Sequence, residues 1–334
     1  MSVIRSIQAI QIIDSRGTPT VSCKVTLENG ICATSMVPSG ASTGSREALE
    51  LRDGSAAYFG KGVNKAVENI HKIIAPALVG MDVTNQQEID EKMLALDGTI
   101  SKSKLGANAI LGVSLAVLDA GSKTLELPLY KYINQVFDHI NGEKPKMQMP
   151  TPMLNIINGG EHADNNIDIQ EFMIMPVGAN NFSQAMQWAT EIYSDLKSIL
   201  NAKGLSTSVG DEGGFAPNLQ SNQEAIELII QAIQNNNLTE GQDVGIALDC
   251  AASEFYKNGT YNLAGESIEL NSSEFTNYLS ELTHKYPILS IEDGMDESDF
   301  EGWKNLTRAL GDKCQLVGDD LFVTNVVELQ RGID

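Results

Sequence analysis

Residues 244–249 read Val-Gly-Ile-Ala-Leu-Asp, an apolar run of strand length that ends in an acid. The same ending recurs in Leu289-Ser290-Ile291-Glu292 and in Leu316-Val317-Gly318-Asp319. Two more apolar runs precede these, Met153 to Ile157 and Phe172 to Val177, and helical patterns lie between the runs. Continuous apolar strands separated by helices predict a parallel sheet covered by helices, which makes this an α/β region.

The three terminal acids, Asp249, Glu292 and Asp319, indicate a metal site. In a βα barrel the carboxyl ends of the strands meet at one mouth, so acids from three strands can face a common point. Their mutual repulsion is relieved by a hard divalent cation, and Mg²⁺ is favoured over zinc because no nearby His or Cys completes the shell. The alternative is that each acid caps a following helix. For a single strand, helix capping would be the preferred interpretation. Three strands with similar ends favour a metal site instead.

The composition describes a globular and strongly acidic protein. Of the 334 residues, 42% are apolar and 20% charged, and 44 acids against 23 Lys and Arg give a net charge of −21. Such a surface repels nucleic acid, and an anionic substrate would need a metal ion or clustered cations. The four cysteines show no C-x-x-C spacing, no secretory signal is seen, and the longest apolar stretch is too short to span a membrane. We therefore expect a cytoplasmic protein.

The N-terminal part has a different pattern. Apolar and polar residues alternate from Val21 to Glu28, and Asn29-Gly30 is a hairpin signal, so a β-meander is predicted. Amphipathic helical patterns follow it. The segment Glu143 to Pro152 carries three prolines, and we place the domain boundary there. The predicted domains are an α+β domain at residues 1–142 and the strand-and-helix domain at residues 143–334.

Further candidate residues lie in glycine-rich polar clusters. Glycines beside acids allow the backbone to approach a ligand closely. Glu171 and Glu212 could act as a proton-transfer pair, with a surface turn as the equally weighted alternative. His162, taken alone, is more typical of a hydrogen-bonded loop histidine than of a catalyst.

Together these residues resemble the enolase family along the whole chain. The resemblance is carried by the following stretches: Ile13 to Gly17, Pro38 to Gly44, Asn158 to Ala163, Gln170 to Phe172, Gly210 to Gly214, Asp249 to Phe255, Ser290 to Asp293 and Gly318 to Leu321. It implies a small α+β domain before a TIM-like barrel of ββαα(βα)₆ order. It also implies a hydro-lyase that converts 2-phosphoglycerate reversibly to phosphoenolpyruvate in glycolysis and gluconeogenesis.

The resemblance also implies roles for individual residues. Asp249, Glu292 and Asp319 match ligands of the tighter of two Mg²⁺ ions, and Ser42 matches a loop residue that closes over the second. Glu212 matches the general acid for the departing hydroxyl, with Glu171 assisting it. Substrate contacts are matched by His162, Gln170 and Glu171. Residues Asp14 to Gly17 match a region that packs on a neighbouring subunit, which implies a homodimer or a larger homo-oligomer.

The family's remaining barrel strands, with the lysine that removes the C2 proton, have no match before Asp334. About 190 residues and five strand-like runs follow the linker, against about 250 residues and eight strands in a typical barrel. We therefore expect the chain as given to be inactive. The main alternative is a non-catalytic, enolase-derived binding protein, and a weaker one is a superfamily relative that acts on another carboxylate.

Overall fold

The computed structural model describes residues 2–40, 44–142 and 145–334. Contacts divide the chain into two units. One comprises the described residues of Met1–Gly40 and Arg46–Gln148, and the other those of Ala41–Ser45 and Met149–Asp334. The predicted boundary after residue 142 stays a prediction.

The first unit contains the expected antiparallel meander, with strands β1 (Ile4–Ile13), β2 (Pro19–Leu27) and β3 (Cys32–Met36) in the order β1-β2-β3. Its helices are α1 (Asn64–Asn69), α2 (Ala75–Leu78), α3 (Gln86–Asp97), α4 (Ala107–Thr124) and α5 (Leu129–Asn141). A π-helical turn, Ile70–Ile74, joins α1 to α2 just before Pro76. Proline lacks the N–H that a regular helix needs, which explains the interruption. Helix α4 packs on β2 and β3, where Val21, Cys23 and Val25 are fully buried.

The second unit is built on a five-stranded sheet. Its strands are β4 (Leu154–Asn158), β5 (Glu171–Met175), β6 (Gly245–Asp249), β10 (Ile288–Glu292) and β11 (Gln315–Val317), in the order β11-β10-β6-β5-β4. Its helices are α6 (Phe182–Ala202), α7 (Asn222–Asn235), α8 (Ser272–Lys285), α9 (Phe300–Leu310) and α10 (Val326–Ile333). Among the described residues the strands form an open sheet and no closed barrel.

The residue pattern alone predicted a parallel sheet, and this is correct only for β6, β10 and β11. Strands β4 and β5 pair antiparallel, and so do β5 and β6. A single helix between two strands returns the chain to the same sheet edge, which gives parallel pairing. The link between β4 and β5 has only one short 3₁₀ turn, and two helices, α6 and α7, lie between β5 and β6. Both links therefore reverse the strand direction.

A small antiparallel sheet that the sequence reading missed precedes α8. It consists of β7 (Tyr256–Lys257), β8 (Thr260–Leu263) and β9 (Ile268–Leu270). Its central residue Tyr261 is fully buried and stacks on Phe275 of α8, with ring centroids 4.6 Å apart. No helix in the described parts of the chain combines the length and the apolar character that crossing a membrane requires.

Candidate active site

One row of paired residues crosses four strands at a single edge of the five-stranded sheet. Asn158 pairs with Glu171, Glu171 with Asp249, and Asp249 with Glu292. Directly paired residues project to the same face of a sheet, so these side chains stand side by side. We call Glu171, Asp249 and Glu292 the acid row. The row includes two of the predicted metal ligands and the predicted assistant of the general acid.

Asp319, the third predicted strand-end ligand, lies two residues beyond Val317, which pairs with Glu292. It is close enough to Glu292 to raise the pKa of that carboxyl. Ser42, the predicted ligand of a second cation, lies outside the described residues.

Burial and like charge perturb the acid row strongly. Asp249 is largely buried, and burial together with the charges of Glu292, Glu171 and Asp293 raises its pKa to about 8. Burial, followed by Asp319, Glu171 and Asp320, raises the pKa of Glu292 to about 7. Asp249 and Glu292 therefore keep their protons at pH values at which free carboxyls are ionised.

The donor set fits a hard divalent cation. Asp249, Glu292 and Asp319 offer only carboxylate oxygens, the ligands that Mg²⁺ prefers, and a cation would relieve the repulsion that raises the pKa values. In the described ranges, however, their oxygens do not all lie within 4.8 Å of one another.

A second cluster joins His162, Glu171 and Glu212, whose potential ligand atoms all lie within 4.8 Å of one another. Nδ1 of His162 is 3.2 Å from Oε1 of Glu171. Interaction with Glu171 raises the pKa of His162 and outweighs the opposing effect of burial. Glu171 therefore favours the protonated imidazole, which can donate a proton and cannot bind metal, over the neutral form, which could bind a metal ion.

His162 is neither fully hydrogen-bonded nor exposed. It is 7% exposed, and neither ring nitrogen has a hydrogen bond of good geometry among the described residues, although Nδ1 lies near Glu171. The neighbouring Gln170 is also buried. Its Nε2 lies 3.4 Å from Oδ2 of Asp249, and its Oε1 is unpartnered within the described part of the chain. Buried polar atoms normally have partners, so these two side chains retain capacity for a ligand or ordered water.

Glu212 stands on a tight loop, residues 209–215, that the protein holds by backbone hydrogen bonds. Gly210 N–H donates to the Gly214 carbonyl at 2.8 Å, and Asp211 N–H donates to the His162 carbonyl at 3.0 Å. A Cβ at Gly210 would lie 2.4 Å from that same His162 carbonyl oxygen, so the loop can approach the 3₁₀ turn after β4 only because a glycine is present. The Glu212 side chain is exposed.

An aromatic pair supports this loop from α6. Phe215 stacks on Tyr193 with ring centroids 4.3 Å apart, and the Tyr193 hydroxyl donates to the Gly213 carbonyl at 2.9 Å. The Glu212 loop is thus fixed by both stacking and hydrogen bonding.

Two residues at this edge were missed as site residues by the sequence reading, Asn158 and Asp293. Asn158 ends β4, is fully buried, and has no hydrogen-bond partner for either side-chain amide atom within the described chain. Asp293 follows Glu292 and is 4% exposed. Their place in the sequence could have indicated them, because each stands at the end of an apolar run, as the predicted ligands do.

Left-handed backbone occurs just after β6 and β10 and in the segment between β11 and α10. Ala251 follows β6 with φ 42°, Asp293 follows β10 with φ 41°, and Val323 and Thr324 follow β11 with φ 43° and 54°. Left-handed backbone is tolerated by aspartate but is costly for Ala251 and above all for the β-branched Val323 and Thr324. Strain of this kind clusters at functional sites, where the surrounding structure enforces it.

Carboxylates at the ends of parallel strands in an α/β sheet are typical of metal-dependent barrel enzymes. Comparison with protein families identifies the type. The model of the enolase N-terminal domain matches residues 4–133, and that of the enolase C-terminal TIM barrel domain matches residues 146–334. The chain belongs to the enolase family. Membership supports an enolase-like function of the lyase type, and the family typically binds Mg²⁺.

Proposed function

We propose that this chain carries the cation-binding and acid-catalytic part of an enolase active site, which serves the reversible dehydration of 2-phosphoglycerate to phosphoenolpyruvate. The observation that supports it best is the strand register, which places Glu171, Asp249 and Glu292 in one row next to His162 and Glu212. Asp249, Glu292 and Asp319 would hold Mg²⁺, with Ser42 a ligand of a second Mg²⁺. When bound, the cations stabilise the negative charge that develops on the substrate carboxylate during proton removal.

The protein residues divide the remaining tasks. Glu212 is exposed on a rigid loop and donates a proton to the departing hydroxyl. Glu171, at one end of the acid row, lies 3.2 Å from His162, and its charge favours the protonated imidazole, which suits His162 to bind an anionic substrate group. The unpartnered amide of Gln170 offers a further polar contact to the substrate.

Metal binding is the first test. Calorimetric titration of the purified chain with Mg²⁺ should show a site that Asp249→Asn and Glu292→Gln weaken strongly. Glu301→Gln is the matched control, because Glu301 is an exposed acid on α9 paired only with Lys304 in the described structure. Equal affinities for all these variants would contradict the assignment of the ligands.

Turnover is the second test. Within the described residues no lysine hydrogen-bonds or pairs with Glu171, Glu212 or the strand-end acids, and the resemblance assigns proton removal at C2 to a lysine without a match here. We therefore propose that the chain as given binds Mg²⁺ but forms no phosphoenolpyruvate. The ultraviolet absorbance of the enol product measures this. Product formation would show that a base within these residues does the work.

We also propose that the chain acts in the cytoplasm and assembles as a homodimer through the region of Asp14 to Gly17. There the Asp14 carboxylate accepts hydrogen bonds from Arg16 N–H at 2.9 Å and Thr18 N–H at 2.8 Å, which makes a well-ordered exposed turn. Light scattering of the purified chain measures its mass in solution. A monomer at all concentrations tested would refute the proposed assembly.

A further inference from the structure

Asp293 connects the ends of three neighbouring strands. Its backbone N–H donates to the Val317 carbonyl of β11 at 3.0 Å, and its carbonyl accepts from Ala252 N–H, beyond β6, at 3.0 Å. Asp293 itself directly follows β10. The residue therefore ties together the strand ends that carry Asp249, Glu292 and Asp319.

The Asp293 side chain makes a second set of contacts. Oδ1 accepts a hydrogen bond from Asp319 N–H at 3.1 Å, and Oδ2 accepts one from Asp320 N–H at 2.9 Å. Both carboxylate oxygens are thus bound to consecutive amides of the segment that carries the proposed ligand Asp319. A buried carboxylate held at both oxygens has little freedom to move, and it fixes the direction of the peptide groups that it binds.

The backbone conformation of Asp293 explains how its carboxylate reaches those amides. In a regular strand, the residue after Glu292 would project to the opposite face of the sheet. At φ 41°, Asp293 leaves the strand conformation, and its carboxylate meets the turn after β11. Aspartate is one of the few residue types with a Cβ that tolerate this conformation.

We propose that Asp293 is a positioning residue for the cation site: its carboxylate holds the Asp319–Asp320 backbone so that the Asp319 side chain is presented beside Glu292. Asp293 acts through the backbone that it holds, because each of its two oxygens accepts a hydrogen bond from one of the amides. This role rests on the proposed function, in which Asp319 is a metal ligand. It adds to that function a residue, Asp293, that affects the metal only indirectly, by positioning the ligand Asp319.

The test compares Asp293→Asn with the control Asp296→Asn. Asp296 is also a buried acid after β10, at 7% exposure, but its Oδ1 accepts from Ser298 N–H, and it makes no hydrogen bond to Asp319 in the described structure. An asparagine at 293 keeps the shape but offers only one acceptor to the two amides. We expect it to weaken Mg²⁺ binding about 10–100-fold in calorimetry, the usual effect of losing a residue that orients a ligand, while Asp296→Asn changes it little.

A double-mutant cycle separates positioning from general stability. In an Asp319→Asn background, Asp293→Asn should cause little further loss of Mg²⁺ affinity, because the ligand that it positions is already absent. An additional loss as large as that in the wild-type background would overturn the positioning role. Unchanged affinity in the Asp293→Asn single variant would overturn it as well.

Two further outcomes are distinguishable. If Asp319→Asn alone leaves Mg²⁺ affinity unchanged, the proposed function fails, and this inference fails with it. If Asp293→Asn does not fold, hydrogen exchange of the unaltered chain in EDTA decides instead. The amide protons of Asp319 and Asp320 should then be protected even without cation, and rapid exchange of both would overturn the inference.

Discussion

The raised pKa of Asp249 leads to an unusual prediction for the metal-free protein. The stability of the protein should fall as the pH rises through neutrality. Burial and neighbouring acids raise the pKa of this carboxyl from 3.8 to about 8. The folded chain therefore keeps the proton up to about pH 8, whereas the unfolded chain loses it near pH 4. Between these values the unfolded state binds fewer protons, so the free energy of unfolding decreases with rising pH.

The size of the effect follows from the shift. One group of this kind changes the free energy of unfolding by ~1.4 kcal/mol per pH unit within the window. From about pH 5 to pH 7 the expected loss is therefore ~3 kcal/mol, a substantial part of the ~5–15 kcal/mol that stabilises a typical protein. The raised pKa of Glu292 acts in the same direction, although this side chain is more exposed and its effect is reduced by solvent.

Urea unfolding in EDTA at several pH values between about 5 and 8 measures this loss. Asp249→Asn provides the control, because it removes the titrating group but leaves the repulsion among the other acids of this strongly acidic chain. The slope of stability against pH should be clearly smaller in the variant. Saturating Mg²⁺ should restore stability at the higher pH, by ~2.7 kcal/mol at a hundredfold excess over Kd. Stability that is constant or increases with pH in EDTA, or an equal slope in the variant, would refute the reasoning.

Three other substitutions test the surroundings of the acid row. Gly214→Ala should destabilise the protein by ~1–3 kcal/mol in urea unfolding, because the new Cβ would lie 2.7 Å from Oδ1 of the buried Asn158. Glu171→Gln should lower the pKa of His162, followed by NMR titration of its ring protons, because Glu171 is the main cause of the raised value. Tyr193→Phe should cost ~1 kcal/mol in urea unfolding, because it removes a hydrogen bond and keeps the stacked ring.

Each of these predictions has its own control. Gly112→Ala is the control, because its Cβ, inside helix α4, would come no closer than 3.1 Å to any atom, and it should therefore cost less than Gly214→Ala. Equal losses would show that the contact with Asn158 is unimportant. For the histidine, Glu212→Gln should lower the pKa by less than Glu171→Gln, and the reverse order would contradict the assigned ion pair. For Tyr193, a loss of several kcal/mol would mean that the hydroxyl does more than bind one carbonyl.

The sequence predicted the strands of the five-stranded sheet well, because each is a local feature, but it missed the short strands β7 to β9. Apolar runs that end in Asp249 and Glu292 become β6 and β10 in the structure. Pairing direction was harder, since it depends on what lies between two strands. The antiparallel pairing of β5 with β6 results from two intervening helices, and single apolar runs give no information about it.

The missed site residues depend on contacts that are distant in sequence. The Asp293 carboxylate binds amides 26 and 27 residues further along the chain. Asn158 is fully buried against a loop that begins about fifty residues later, and the two approach closely because Gly210 and Gly214 of that loop have no Cβ. Neither relation has a local periodicity, so neither could be predicted from composition or spacing. His162 and Gln170 were identified through resemblance, not through their own pattern.

The two parts of the site are stabilised in different ways. The Glu212 loop is held by backbone hydrogen bonds and by the stacked pair of Tyr193 and Phe215, none of which needs a cation. The acid row, in contrast, brings together carboxylates whose charges raise one another's pKa values. It therefore costs stability at neutral pH unless a cation or protons compensate it. If the proposed cation binds the folded row and not the unfolded chain, its binding offsets this repulsion and stabilises the folded protein.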